Sequence, residues 1–226
     1  MLILTYALAT LALTLAEIRD HPVRIPLKLA LSATFVAVAA ILLINPLALG
    51  LPTDGWAYST GSSPLPAALI LAALTACALG DALLLKPGPF PGTSARPFLS
   101  GMAAFALGHA LFALAFHRLA ILGPDILPAS ALILASAGAA CLLARHSPLR
   151  LPATLYGAII GTMIVASLLT ANPTLIAAAL AFAASDIVVA LNRFGPAQGR
   201  GSWHFALITP LYFTAQLAFA LSIAGM

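Results

Sequence analysis

Charge is what this chain has least of. Only 7% of its 226 residues are Asp, Glu, Lys or Arg, against about 25% in soluble domains. A chain so poor in charge and 62% hydrophobic, with a mean hydropathy of +1.07, falls in the membrane class. Cysteine is almost absent as well. The two present, Cys77 and Cys141, sit in the middle of apolar runs, which excludes a disulfide scaffold and leaves each as a small buried hydrophobe. No HExxH and no CxxC pair occurs, so no metal motif of recognised spacing is present and no cofactor is called for. Ten-residue stretches of alternating hydrophobicity do not recur, which argues against an outer-membrane barrel. The first apolar run lacks the positive leading region of a signal peptide and reads as a retained span.

Long apolar runs are what the chain has instead. A span needs about 20 mostly apolar residues. Eight segments meet or approach this: 1–16, 25–45, 64–85, 97–116, 126–144, 151–171, 173–191 and 204–225. Short connections hold most of the Pro, Gly and charge, leaving no room for a soluble domain. The expected fold is all-α: one polytopic bundle of eight transmembrane helices covering 1–226. In that arrangement Arg19, Arg24, Lys28, Lys86, Arg96, Arg145, Arg150, Arg193 and Arg200 fall on one side, and Arg118 alone on the other. The positive-inside rule makes the basic side cytoplasmic and puts both termini on the opposite face. The net charge of +4 is thus topology and headgroup contact with membrane lipids, not a nucleic-acid footprint. In the longest connection, 45–64, Trp56 and Tyr58 near Asp54 are expected to anchor at the non-cytoplasmic interface.

Two of the six acidic residues, Asp81 and Asp186, lie inside spans. An ionised Asp near the bilayer centre costs about 2.5–3.5 kcal/mol on insertion scales unless paired or wetted, so such residues are functional candidates by default. The bland alternative is a polar group that locks helices together. Depth favours function. Lys28, Asp81, Tyr156, Ser185, Asp186, Asn192, Arg193 and Tyr212 all fall towards the basic ends of their spans, with His109 and Gln216 about halfway. Helix glue has no reason to segregate by depth, whereas a polar cavity in the cytoplasmic half does. Spans one and five, with only Thr, Tyr, Ser and Cys as polar groups, are expected to be peripheral. Gly157 and Gly161 form a small-xxx-small pair of the kind that lets helices approach.

Lysine, two aspartates, histidine and tyrosines around one cavity form a general acid–base set. Burial disfavours the charged form of a carboxyl, so such a group can donate a proton near neutral pH. A second carboxylate kept ionised by Lys28 or Arg193 can stabilise a cationic intermediate or orient water. Each member also has an ordinary reading: a core histidine satisfied by a carbonyl for His109, belt residues for Tyr156 and Tyr212, and a snorkelling cation for Lys28. His21, His117, His146 and His204 lie at span ends and read as interfacial. Asp81, His109, Ser185 and Asp186 can also be drawn as ligands converging on a metal. Ser185 can be drawn as a nucleophile meeting His109, although neighbours such as Ser185 and Asp186 point to different helix faces.

At these residues the chain resembles the YhhN-type lysoplasmalogenases. ALGDALLL at 78–85 resembles that family's Gly-Asp motif, and FLSGMAAFALGHALFALAF at 98–116 its Phe-x-x-Gly…Phe-x-x-Gly-His segment. LYGAIIGTMIVAS at 155–167 is similar to the Tyr…Met segment. FAASDIVVALNRF at 182–194 resembles the Ser-Asp…Asn-Arg-Phe block, and LYFTAQLAFALS at 211–222 the terminal Tyr…Ala-Gln stretch. One position departs: the family's Lys-Pro in span two is here Lys28-Leu29, with Pro26 two residues earlier.

The resemblance implies an integral membrane hydrolase of the bacterial inner membrane that cleaves the vinyl-ether bond of a lysophospholipid substrate, a lysoplasmalogen. The products would be a fatty aldehyde and a glycerophospho-headgroup. One of Asp81 and Asp186 would be the acid, and the other would stabilise charge or activate water. Lys28, Asn192 and Arg193 would face the phosphate, while His109, Tyr156, Ser185, Tyr212 and Gln216 would shape the cavity. A transporter of small molecules or lipids and a metal-dependent lipid hydrolase are the alternatives. Neither headgroup preference nor oligomeric state is legible.

Overall fold

In the computed structural model, residues 1–50, 63–85, 95–195 and 204–226 are described. They form eight helices: α1 Leu2–Ile18, α2 Arg24–Ile44, α3 Leu65–Leu84, α4 Ala95–Arg118, α5 Ile126–Leu143, α6 Arg150–Leu169, α7 Pro173–Phe194 and α8 Phe205–Ser222. A single 3-10 turn, Ile223–Gly225, closes the chain. Among the described residues there is no strand. Seven helices, α2 to α8, are long and apolar enough to cross a membrane. The expected first span is a shorter apolar helix of 17 residues, about 26 Å at 1.5 Å per residue against a hydrocarbon core of about 30 Å. Lys86, Arg200 and the expected anchors Asp54, Trp56 and Tyr58 lie outside the described residues.

The helix ends follow local chemistry. Asn172 caps α7 by accepting from the backbone N–H groups of Thr174 and Leu175, and Pro173 occupies the first helical position, where its missing N–H costs nothing. The turn from α1 to α2 is set by Asp20, whose φ of 52° is left-handed. The His21 N–H then donates to the Ala16 carbonyl and the Asp20 N–H to that of Glu17, the paired bonds of a Schellman close.

Small residues set the close packing. A Cβ on Gly80, Gly101 or Gly108 would come within 2.5–2.8 Å of Phe105, Leu84 or Cys77, so α3 and α4 meet antiparallel through three glycines. Gly157 and Gly161 likewise bring α6 against Ser136, Ala140 and Ile133 of α5, which gives the small-xxx-small pair a definite partner. The aromatic centre is built from Phe35, Phe112, Phe116, Phe182, Phe213 and Phe219, all essentially inaccessible. Helix α5 has no buried residue and packs along α6, only lightly against α7. It is peripheral, as expected. Helix α1 is not. It packs on α8 and α2, runs two residues beyond the expected boundary, and thereby inserts Glu17 into the bundle.

Candidate functional site

The late turns of α1 and α3 meet the early turns of α2 and α8, and Asp81 lies at that junction. Its carboxyl is 2% exposed. Oδ2 accepts hydrogen bonds from Ser32 Oγ and Tyr212 Oη, each at 2.7 Å, and Oδ1 lies 3.7 Å from Lys28 Nζ. Ser32 is one turn beyond Lys28 on α2 and also bonds its carbonyl at 3.0 Å, which aligns the two side chains on one face. Lys28 is thus drawn inward, not snorkelling. Gly80 explains why the motif is Gly-Asp: any side chain there would strike the Phe105 ring, which stacks edge-on to Tyr212 at 5.8 Å.

The second carboxyl belongs to a different set of helices. Asp186 on α7 is 15% exposed, and its Oδ2 accepts from Tyr156 Oη of α6 at 3.2 Å. His109 of α4 brings Nε2 to 3.0 Å from the same oxygen. That contact is short but off the axis of a ring N–H, so it is electrostatic proximity without regular hydrogen-bond geometry. The other ring nitrogen decides the tautomer. Nδ1 is 2.7 Å from the Phe105 carbonyl oxygen, which only accepts, so Nδ1 carries a proton. Nε2, the remaining polar atom of the ring, faces the Asp186 carboxyl across 3.0 Å.

Both carboxyls line one cavity of about 770 Å³, within the usual size range of small-molecule sites. Lys28, Asp81, Tyr156, Ser185, Asp186 and Tyr212 form its polar part, and most of the remaining wall is apolar, reaching α5. Phe182 separates the two centres, 4.2 Å from the His109 ring and 5.4 Å from Tyr212, measured between centroids.

The other expected residues divide. Ser185 lines the cavity, but its hydroxyl donates to its own helix at the Phe182 carbonyl, 2.7 Å away, and makes no contact with His109 that would activate a nucleophile. Arg193 is not at either carboxyl; its guanidinium lies 4.9 Å over the ring of Phe98, a residue of the cavity wall, and does not itself line the cavity. Asn192 contacts His204, which is buried at the start of α8 and not interfacial as its position at a span end suggested. Gln216 is fully buried one turn beyond Tyr212, with its amide beside the Cys77 thiol. Among the described residues no three His, Cys, Asp or Glu side chains gather at one point, so the set drawn as metal ligands does not converge.

Sequence reasoning missed Glu17, and gave Phe105 no role beyond its place in the Phe-x-x-Gly-His motif. Glu17 is 5% exposed, pairs with Lys28 at 3.7 Å, and accepts from the Thr209 hydroxyl. A signal existed: Glu17 is the only glutamate in the chain, at the end of an apolar run.

The description "YhhN family" matches residues 32–223, most of the chain. The chain belongs to the YhhN family. That family corresponds to lysoplasmalogenases, and membership carries a membrane lysoplasmalogenase-type, hydrolytic function at family level. No curated protein and no solved structure matches the chain. The YhhN match begins at Ser32, so it takes in Asp81, His109, Tyr156, Asp186 and Tyr212 but neither Glu17 nor Lys28.

Proposed function

We propose that this protein hydrolyses the vinyl-ether bond of lysoplasmalogens such as lysoplasmenyl-ethanolamine or -choline, with Asp186 and His109 handling the proton and Asp81 acting as the anion. The observation that carries this reading is the contrast between the two carboxyls on one cavity: one surrounded by hydroxyl donors and an ammonium, the other set 3.0 Å from an imidazole nitrogen.

The chemistry asks for that contrast. Protonation of the vinyl-ether β-carbon breaks the double bond and leaves an oxocarbenium ion. Water then adds to the former α-carbon and gives up a proton, and the hemiacetal collapses to an aldehyde and the free glycerol hydroxyl. The first step needs a proton held in an apolar site, and the second needs an acceptor for the proton that water loses. His109 and Asp186 supply the one and recover the other. Asp81, fixed by Ser32 and Tyr212, is oriented in advance to face developing positive charge, and the rings of Phe105 and Tyr212 on the same wall add their π-faces. In this reading the substrate's phosphate end lies towards Lys28, and its alkenyl tail runs along the apolar wall formed with Ala135, Ala139 and Ile164. The bias of Lys and Arg in the sequence towards one side of the spans supports a bacterial inner membrane with that side in the cytoplasm and both termini outside.

Purified protein in nanodiscs, given lysoplasmenyl-ethanolamine, should release one fatty aldehyde per substrate consumed, with glycerophosphoethanolamine as co-product. Movement of intact lipid across vesicles without aldehyde would overturn this reading in favour of transport. Activity abolished by chelator and restored by zinc would favour a metal-dependent hydrolase.

A further inference from the structure

We infer that Glu17, from the segment preceding the YhhN match, is a positioning residue that holds Lys28 ready for an anionic oxygen of the substrate, a phosphate. The inference rests on the proposed function only for the identity of that substrate.

Lys28 Nζ lies 3.7 Å from Glu17 Oε1 and 3.7 Å from Asp81 Oδ1. The ammonium is therefore suspended between two carboxyls and closes fully on neither. It is 21% exposed and, among the described residues, is the one basic side chain on the cavity wall. An ammonium has three N–H bonds, so one remains for a third oxygen on the cavity side. Glu17 itself does not line the cavity among the described residues. It acts through Lys28.

Three features aim Glu17 at this task. The left-handed turn at Asp20 closes α1 and folds the chain directly back into α2, setting Glu17 beside Lys28. Its second oxygen, Oε2, is taken by the Thr209 hydroxyl, which leaves Oε1 for the ammonium. Thr209 lies three residues before Tyr212, so one face of α8 donates to both carboxyls that flank Lys28. Without Glu17 a flexible lysine stem has two other resting places, full contact with Asp81 or extension towards the membrane surface, and both withdraw it from the substrate.

The test combines kinetics with binding of a saturated 1-O-alkyl lysophospholipid, which has the same phosphate and tail but no vinyl ether to protonate. Glu17→Gln should raise KM, and weaken analogue binding, by roughly 10-fold, the loss of about one charge-assisted contact, while kcat stays within about 2-fold. Lys28→Met should give a similar loss, and the double variant should be no worse than Lys28→Met alone, because the two residues act as one unit. Thr209→Val, which leaves the carboxylate in place, should move KM in the same direction by less and serves if Glu17→Gln fails to fold. Glu17→Asp should recover part of the loss. Additive effects of Glu17→Gln and Lys28→Met, or lower thermal stability with unchanged KM and analogue binding, would overturn the inference. Analogue binding that depends on Glu17 and Lys28 in a protein that releases no aldehyde would uphold the positioning role and sink the vinyl-ether reading instead.

Discussion

The two halves of the cavity use the same residue type in opposite ways. Asp81 is almost sealed from solvent, and two helices send it donors, Ser32 and Lys28 from α2 and Tyr212 from α8, while Glu17 of α1 reaches it only through Lys28. Asp186 is partly open and, among the described residues, meets His109 and Tyr156, from α4 and α6. A carboxyl ringed by fixed donors is organised around charge, while one set against a single basic nitrogen is organised around a proton. Residue identity does not distinguish these roles; their neighbours do.

That contrast breaks most visibly at the proton. Asp186→Asn removes the carboxyl that faces His109, and aldehyde release should fall by about 10²–10⁴, the usual weight of a general acid–base. The loss should appear in kcat, with KM and analogue binding little changed. Asp81→Asn keeps the shape of its site and its capacity to accept from hydroxyls but removes the charge, and activity should fall by about 10²–10³. Full activity after either substitution, or after both, would erase the distinction between the halves.

Much of this was legible in the sequence because a membrane imposes simple rules. All eight helix boundaries lie within about three residues of the apolar runs, since only a helix satisfies its own backbone in lipid. Asp81 and Asp186 stood out because a carboxylate inside such a run is costly. Pairing was not legible. Depth along a span says nothing of which face a side chain occupies, so Ser185 ranked with Tyr156 although its hydroxyl is bound to its own helix, and Arg193 ranked with Lys28 although it rests on Phe98. Glu17 escaped for a related reason. Ending the first run at residue 16 made it a loop residue, whereas α1 continues one half-turn further to carry it into the bundle.

A smaller effect sharpens the Asp81 half. Tyr212→Phe removes one of the two hydroxyl donors to Oδ2 while keeping the ring that packs against Phe105, Phe182 and Phe35. A hydrogen bond to a charged group contributes about 1.5–3 kcal/mol, so kcat/KM should fall by about 10–100-fold with little change in thermal stability. Ser32→Ala should show the same direction. If Tyr212→Phe instead destabilises the protein without a matching loss of activity, the hydroxyl is a structural tie and Asp81 is not the pre-oriented anion.

The mildest prediction concerns α5, which carries the tail wall but none of the partners of either carboxyl. On Gly157, a methyl group would come 2.7 Å from the Ser136 carbonyl oxygen and 2.8 Å from Ala140 Cβ. A carbonyl in mid-helix cannot retreat alone, so Gly157→Ala must push α5 outward as a body, at an overpacking cost of about 1–3 kcal/mol. Ser136 and Ala140 both line the cavity, so the shift widens the apolar end and leaves the distance between the two carboxyls unchanged. KM for long-chain substrates should rise by about 2–5-fold, on the order of one methylene's worth of lost contact, while kcat holds. Short-chain substrates, which do not reach α5, should be unaffected. A fall in kcat that is independent of chain length would show that α5 positions the proton-handling half through α6 and Tyr156, and the division between an apolar wall and a polar site would have to be redrawn.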